Sequence, residues 1–324
     1  MSTVHVIPQP VTGRLHPVFE DEVDEKCAQA LELLKAVYVP HDKHRAIRSR
    51  INTLRLSSLS ILRCGEALEG RALVQGTGAG KTTILKLIAD ESNTRPGREG
   101  KVNPHRVLYI EMKVAGTLNM LCRRILKKIG DPHWNDGNAD DVRERLEIGF
   151  DQKGVELLIV DEVQHLKGTS RDKLAIADEL KGLLDAGIVP IVFAGTEKAK
   201  GFFEDNLELA GRLGASLDLA PLGTTTDDRR KFMEFCRGLD AAIEEARIFP
   251  RAPGFAVREN LTGLFRASGG HFGRVCRVVT VAVEHAVRRE AEFVERYDLH
   301  SATETFAIPN EYCRHNPFTA TRQP

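Results

Sequence analysis

The sequence predicts an α/β fold with a parallel sheet, followed by a smaller helical domain, and three observations support this. Within Arg71–Thr83 a short apolar run leads into a glycine-rich loop, and a helical pattern follows from Ile84. Apolar, strand-like runs alternate with helical patterns from about residue 70 to 220, which is typical of parallel sheets. After Pro221 only helical patterns follow.

Composition limits the class of protein. A chain of 324 residues is long enough for about two domains. Its 46 basic and 46 acidic residues give zero net charge, so any contact with nucleic acid must come from local patches. The six cysteines form no CxxC pair, which argues against a zinc site and favours a reducing compartment. No apolar stretch or signal peptide suggests a membrane, and we expect a cytoplasmic protein.

The order of the predicted elements follows from hydrophobic periodicity. A basic segment, Lys43–Arg50, has helical period and is interpreted either as a solvated face or as a phosphate-contacting surface. The predicted strands are Ala72–Val74, Val107–Glu111, Val155–Val160, Ile188–Ala194 and a shorter fifth, Leu217–Leu219. The predicted helices include Phe19–Tyr38, Leu118–Ile129, Val142–Phe150, Arg171–Ala186, Asp227–Leu239, Val257–Ala267 and Arg274–Phe293.

These elements predict five parts of the chain. Proline-rich composition predicts a flexible arm at the start, and loss of periodicity predicts a tail from Ser301. The predicted parts are an arm (1–18), N-terminal helices (19–69), an α/β nucleotide-binding domain (70–222), a helical domain (223–300) and a tail (301–324).

The glycine loop has the layout of a phosphate-binding loop. Successive glycines let backbone N–H groups and a helix N-terminus point at a polyphosphate, which predicts ATP binding. Lys81 would reach the β- and γ-phosphates, and Thr82 would ligate Mg²⁺. Gln75 stands where the G-x-x-x-x-G-K-[ST] pattern has glycine, and the alternative is a strand–helix turn without a ligand. The predicted nucleotide-binding residues are Gln75, Gly76, Thr77, Gly78, Ala79, Gly80, Lys81, Thr82 and Thr83.

A second motif ends the apolar run LLIVDE. Carboxylates that follow a buried parallel strand lie at the carboxyl edge of the sheet, beside the glycine loop. Asp161 would hold Mg²⁺ through its water shell, and Glu162 would orient or deprotonate the attacking water. An ordinary acidic strand end is the alternative when this motif is considered alone.

Three further residues are candidates for the same reaction. Thr196 closes the run IVFAGT and would contact the water or the γ-phosphate; a Gly-Thr turn is the alternative. Arg212, in LELAGRL, would reach a neighbouring subunit's γ-phosphate, or is simply solvated. Arg274 opens a helix after SGGHFG, where a cation is unfavourable unless a phosphate attracts it.

In this order the motifs resemble the AAA+ ATPases, and DEVQHL, the Gly-Thr strand end and SGG-x-x-GR are similar to the TniB/TnsC family of DNA transposition regulators. The resemblance covers roughly residues 35–295. It implies a five-stranded parallel sheet in the order 5-1-4-3-2 and a small C-terminal helical lid. It also implies that Thr196 is sensor 1, Arg212 a trans-acting finger and Arg274 sensor 2.

The resemblance further implies ATP-driven assembly into rings or filaments on duplex DNA, contact with a DDE-type transposase, and a target-selecting adaptor protein as another partner. Backbone contacts to DNA would be independent of sequence. The candidate DNA residues are Lys113, Thr117, Lys167, Thr169 and Arg171, or these are ordinary loop residues. Two functions remain as alternatives: a replication initiator or helicase loader, and an adaptor that binds ATP without hydrolysing it.

Overall fold

The computed structural model describes residues 22–97, 100–112, 117–165 and 170–318; of Leu118 and residues 170–175 it describes only the backbone. The expected arm (1–18) lies outside the described residues. The first part of the chain comprises α1 (Glu22–Ala36), α2 (Asp42–Ser58), β1 (Gly70–Val74), α3 (Lys81–Thr94), β2 (Val107–Glu111), α4 (Leu118–Ile129), α5 (Ala139–Gln152), β3 (Leu157–Asp161), α6 (Ser170–Asp185), β4 (Ile191–Gly195), α7 (Lys200–Glu204) and α8 (Leu207–Gly211). The second comprises α9 (Thr226–Glu245), α10 (Arg258–Ser268), α11 (Phe272–Arg288) and α12 (Arg296–Ala302).

The four strands form one parallel sheet in the order β1-β4-β3-β2. Successive residues of each strand face opposite sides, because a strand has a period of two. Phe193 therefore packs with α4, α5 and α6 on one side, and Val192 packs with α2 and α3 on the other. Because both faces are covered by helices, the strands read as continuous apolar runs. The predicted α/β class is confirmed.

The prediction of a fifth strand is wrong. The segment after α8 does run beside β1: Gly214 N–H donates to Gly70 O at 3.1 Å, and Leu217 N–H donates to Ala72 O at 2.8 Å. Gly70 and Ala72 are two residues apart, whereas Gly214 and Leu217 are three apart. The extra residue breaks the ladder, so the segment occupies the place of a fifth strand without forming one.

The helices α9 to α12 form a second core, the lid core, that includes Phe232, Leu264 and Val279. The N-terminal helix α1 joins this core through Ala30, whereas Ile51 of α2 packs on the sheet side. The two N-terminal helices therefore belong to different cores, and the chain between them passes from one to the other.

The predicted tail is packed up to residue 318. Ala302, Ala307, Tyr312 and Phe318 are all buried in the lid core. Ile308 N–H donates to the carbonyl five residues earlier at 3.0 Å, in a π-helical turn over residues 303–307. A spacing of five or six residues matches neither a strand nor an α-helix, so periodicity did not reveal this segment. Residues 319–324 lie outside the described residues.

Candidate functional site

The glycine loop connects β1 to α3 and turns sharply. Gly78 and Gly80 have φ angles of +78° and +99°, a region that favours glycine. Gly80 is the residue before α3, so the N–H groups of the first helical turn face the loop. This arrangement offers backbone donors and the positive end of a helix dipole to an anion.

The departure from the phosphate-loop pattern at Gln75 has a simple explanation. Gln75 is not among the described residues that have a positive φ, so its backbone does not require glycine. Its N–H donates to Gly195 O at 3.2 Å, which ties the strand exit to the end of β4. The loop therefore forms with glutamine at this position.

Lys81 lies over the loop and is 5 % exposed. Its Nζ donates to Gln75 O at 2.6 Å and to Gly76 O at 3.1 Å. Burial lowers the pKa of the ammonium group, while the carboxylates of Glu162 and Asp161 act in the opposite direction. The loop carbonyls hold this cation where a phosphate group would approach.

Asp161 ends β3 and is fully buried. Its Oδ2 accepts the hydroxyl of Thr82 at 2.8 Å and that of Tyr109 at 2.7 Å. Its Oδ1 accepts the N–H of Glu162 at 2.8 Å. These donors are neutral, so the buried negative charge suits a cation. A hydroxyl and a carboxylate are the hard oxygen ligands that Mg²⁺ prefers, and Thr82 and Asp161 fit that ion.

Glu162 and Thr196 line the same cleft as the glycine loop. Glu162 has a φ of +60°, which is uncommon for a residue other than glycine. Its Oε2 accepts a hydrogen bond from Gln164 Nε2, and the Oε1 of Gln164 accepts the N–H of Thr196 at 3.1 Å. The two strand ends are therefore connected through one side chain.

The cleft has a volume of about 360 Å³ and extends from the loop to an apolar and aromatic wall. That wall comes from the α1–α2 linker, the first turn of α2 and the helices of the lid core. Cavities with apolar walls and few polar groups are typical of sites for small molecules, and this one would accommodate a nucleotide base. The wall residues include Val37, Tyr38, Val39, His41, His44, Phe235, Leu239 and Phe272.

Two histidines beside the loop are buried. The ring of His41 lies 3.8 Å from that of His44 and 4.1 Å from that of Phe272, measured between centroids. Burial lowers the pKa of His41 to about 2 and that of His44 to about 4, so both rings are neutral at pH 7. His44 Nε2 has no hydrogen-bond partner among the described residues, and a Cβ at Gly80 would lie 3.3 Å from it.

Helix α11 begins against the glycine loop. A Cβ at Gly273 would lie 2.3 Å from Gly78 O, so only glycine permits this approach. The Nε of Arg274 lies 3.4 Å from Thr77 O, and its guanidinium lies over the Tyr312 ring at 4.6 Å. Burial lowers the pKa of Arg274. One turn later, Arg277 lines the cleft. The structure therefore brings Arg274 to the loop, and its contact with a phosphate stays a prediction.

Arg212 lies at the other edge of the sheet. Its carbonyl accepts the N–H of Gly70, at the start of β1, whereas the glycine loop follows the end of that strand. Five residues at 3.3 Å each separate the two edges by about 16 Å. The Nε of Arg212 lies 2.5 Å from Oδ1 of Asp185, an ion pair without hydrogen-bond geometry, and the side chain is 42 % exposed. Arg212 cannot reach the cleft of its own chain.

The candidate DNA residues are described only in part. Lys113, Lys167 and Thr169 lie outside the described residues. Thr117 caps α4, since its hydroxyl accepts the N–H of Met120 at 3.3 Å. Arg171 lies in the first turn of α6, where only the backbone is described. The prediction of a DNA surface stays a prediction.

Sequence reasoning missed four residues of this site: Tyr109, Gln164, His44 and Arg277. Tyr109, in β2, donates to the carboxylate of Asp161, and Gln164, in the turn after β3, donates to the carboxylate of Glu162. The only signals were a tyrosine inside a buried strand and an amide two residues after Glu162. His44 and Arg277 belong to helices whose approach to the loop depends on tertiary packing.

Comparisons with known proteins concern the family and the fold. The model of the family described as bacterial TniB protein matches residues 29–217. The solved structure of the Aeropyrum pernix Orc1 protein in complex with DNA is similar, with a TM-score of 0.60, 19 % identity, and coverage of 85 % of this chain and 69 % of that one. The structure of the Aeropyrum pernix ORC2 protein in ADPNP–ADP complexes is similar with a TM-score of 0.55 and 15 % identity, and the match covers 84 % of this chain and 71 % of that one. The structure of Cdc6p from Pyrobaculum aerophilum is similar with a TM-score of 0.55 and 12 % identity, and the match covers 85 % of this chain and 70 % of that one. No curated protein matches the chain. At these identities the solved structures establish the AAA+ fold alone.

Proposed function

Because this chain belongs to the bacterial TniB protein family, we propose that it is a Mg²⁺-dependent ATPase that assembles on duplex DNA and presents that DNA to a DDE-type transposase. The observation that carries the proposal is the convergence of Lys81, Thr82 and Glu162 on one cleft at the carboxyl edge of the sheet, with Asp161 hydrogen-bonded to Thr82. A cluster of this composition supports triphosphate binding and hydrolysis.

In the proposed reaction, Lys81 leaves the loop carbonyls and binds the β- and γ-phosphates. A water oxygen forms a bond to the γ-phosphorus, the bond from that phosphorus to the β–γ bridging oxygen breaks, and Glu162 takes the proton of the water. Thr82 and Asp161 would hold Mg²⁺, which would supply positive charge against the phosphates. Thr196 contacts the water or the γ-phosphate, and Arg274 contacts the phosphates from the lid.

Arg212 supports a proposal of self-assembly. Its place at the opposite edge of the sheet means that it can stabilise transition-state charge only in the cleft of a neighbouring copy. Each nucleotide would then lie between two protomers, and the assembly would be a ring or a helical filament. Nucleotide binding would favour this assembly, and hydrolysis would release it.

DNA binding is proposed from the family and from the DNA complex of the similar Orc1 structure. Basic and hydroxyl groups after β2 and β3 would contact the phosphate backbone, which carries no sequence code. Since the net charge is zero, affinity would depend on many subunits binding together. The proposed contact residues are Lys113, Thr117, Lys167, Thr169 and Arg171.

The experiment that tests this function follows assembly and turnover together. With a non-hydrolysable ATP analogue and duplex DNA, the parent chain should form rings or filaments in electron micrographs, and Lys81→Ala should form none. Glu162→Gln should lower ATP turnover by about 10²–10⁴-fold and leave ATP-bound assemblies on the DNA. Turnover by Glu162→Gln at the parent rate would remove Glu162 as the base.

The partner is tested separately. Pull-down with the DNA-bound assembly should recover a DDE-type transposase, with a target-selecting adaptor as a second partner. Recovery of a replicative helicase without a transposase would instead favour an initiator or helicase loader. Assembly without any turnover would favour an adaptor that binds ATP and does not hydrolyse it.

A further inference from the structure

The side chain of Gln164 joins the proposed base to the neighbouring strand. Gln164 lies in the short 3₁₀ turn Val163–His165 that follows β3. Its Nε2 donates to Oε2 of Glu162, and its Oε1 accepts the N–H of Thr196. Only one orientation of the amide satisfies both contacts, because its nitrogen only donates and its oxygen only accepts.

The fold makes room for this bridge. A Cβ at Gly195, the last residue of β4, would lie 2.6 Å from Oε1 of Gln164 and 2.8 Å from the Cβ of Ala199, so glycine leaves the space that the bridge occupies. Glu162 and Thr196 line the cleft, while Gln164 is not among the described residues that do. The amide therefore lies behind the two residues that face the substrate.

The backbone of Glu162 is constrained at the same point. A positive φ at a residue other than glycine persists when surrounding contacts determine it. One of these contacts is the hydrogen bond from Glu162 N–H to Asp161, and Gln164 holds the other end of the residue, its carboxylate. His165 Nε2 lies 3.8 Å from the same Oε2. Oε2 thus points towards protein groups, which leaves Oε1 for a water.

We propose that Gln164 is a positioning residue: it fixes the Glu162 carboxylate for the attacking water and couples that carboxylate to Thr196 at the end of β4. This inference rests on the proposed ATP hydrolysis. A γ-phosphate that contacts Thr196 shifts the Thr196 N–H group, which donates to the Gln164 side chain. The Gln164 amide then transmits this shift to the carboxylate of Glu162. The base is then aligned when a triphosphate is bound and released when the γ-phosphate leaves.

The first part of the test is enzymatic. Gln164→Met keeps the size of the side chain and removes both hydrogen bonds, and Gln152→Met changes an exposed glutamine at the end of α5. We expect Gln164→Met to lower kcat by about 10–100-fold, as loss of an orienting partner does, with an unchanged Kd for ATP. Gln152→Met should match the parent in both. Equal kcat values for Gln164→Met and the parent would overturn the proposal.

A pH signature separates positioning from general damage to the fold. In Gln164→Glu the introduced carboxyl can replace the amide only when it is protonated, because only then does it donate to Glu162. The kcat of this variant relative to the parent should rise as the pH falls from 8 to 6. A ratio that does not depend on pH would contradict the assigned donor role.

The second part is independent of turnover. In hydrogen–deuterium exchange by mass spectrometry, the peptide containing Thr196 should exchange faster in Gln164→Met than in the parent and in Gln152→Met. Unchanged exchange would mean that the bridge does not exist. If Gln164→Met shows this faster exchange and the parent hydrolyses no ATP, the hydrogen-bonded bridge is supported and the proposed ATPase function is rejected.

Discussion

The two buried histidines beside the glycine loop predict that acid destabilises this protein. His41 and His44 are 6 % and 5 % exposed and neutral in the folded chain. The Nδ1 of His41 accepts the N–H of His44 at the start of α2. A protonated ring has no lone pair at this nitrogen, so protonation removes the cap as well as placing a charge in an apolar site.

The magnitude follows from the pKa values. Both folded values, about 2 for His41 and about 4 for His44, lie below the ordinary value of 6.5. Between these limits the unfolded chain binds more protons than the folded chain, so stability falls as the pH falls. From pH 7.5 to 5.0 each histidine removes about 2 kcal/mol from the free energy of unfolding.

The perturbation is His41→Asn. Asparagine is a good N-cap and does not titrate, so the variant keeps the hydrogen bond to α2 and loses one buried imidazole. Urea unfolding measures the free energy of unfolding at pH 7.5 and at pH 5.0. The decrease in this free energy between the two pH values should be about 2 kcal/mol smaller in the variant than in the parent. His133→Asn is the matched control, since the side chain of His133 is 71 % exposed, and it should match the parent. An equal loss in His41→Asn and the parent would refute the reasoning.

Three further predictions concern the nucleotide site. Arg212→Ala should retain ATP binding and lose turnover. Mixing it with Lys81→Ala should restore some turnover, because an intact nucleotide site of the first variant can meet the arginine of the second at a shared interface. No restoration would contradict a role of Arg212 in trans. Tyr109→Phe removes a donor to Asp161 and should raise the Mg²⁺ concentration needed for half-maximal turnover by about 10-fold, with ATP binding in the absence of Mg²⁺ unchanged. Gly273→Ala should weaken ATP binding, measured by fluorescent nucleotide titration, because the added methyl group forces α11 away from the loop, whereas Gly201→Ala, where a Cβ meets nothing within 4 Å, should not.

The parts of the site that the sequence predicted are those whose chemistry is contiguous in the chain. The loop Gln75–Thr83 and the pair Asp161–Glu162 each combine a strand end with polar residues, and parallel strands bring such ends to one edge. Arg274 was predicted from its unusual charge at a helix N-terminus. Tyr109 and Gln164 are single residues whose importance depends on what lies next to them in space, and the sequence marks them only weakly, as a tyrosine inside a buried strand and an amide two residues after Glu162.

The errors in the fold have local causes. One residue too many after Gly214 prevents the predicted fifth strand, and this shift of register depends on the loop path and not on the apolar residues Leu217 and Leu219. The packed segment up to Phe318 was missed because a π-helical turn gives its apolar residues a spacing that α-helical and strand patterns do not contain. In both places hydrophobic composition was adequate and backbone geometry decided the outcome.

The α1–α2 linker connects the lid core to the sheet side of the cleft. α1 packs on the lid core, where Cys27 Sγ lies 3.9 Å from Glu284 O, and α2 packs on the sheet side. A rotation of the lid relative to the sheet would therefore change the linker between α1 and α2, and Val37, Tyr38, Val39 and His41 of this linker line the cleft. In the proposed function, a nucleotide bound in the cleft would touch the loop, the lid helix and this linker together, and it would restrict that rotation. In the proposed assembly, the orientation of each lid would then depend on whether its nucleotide is present, and that dependence would reach the next protomer.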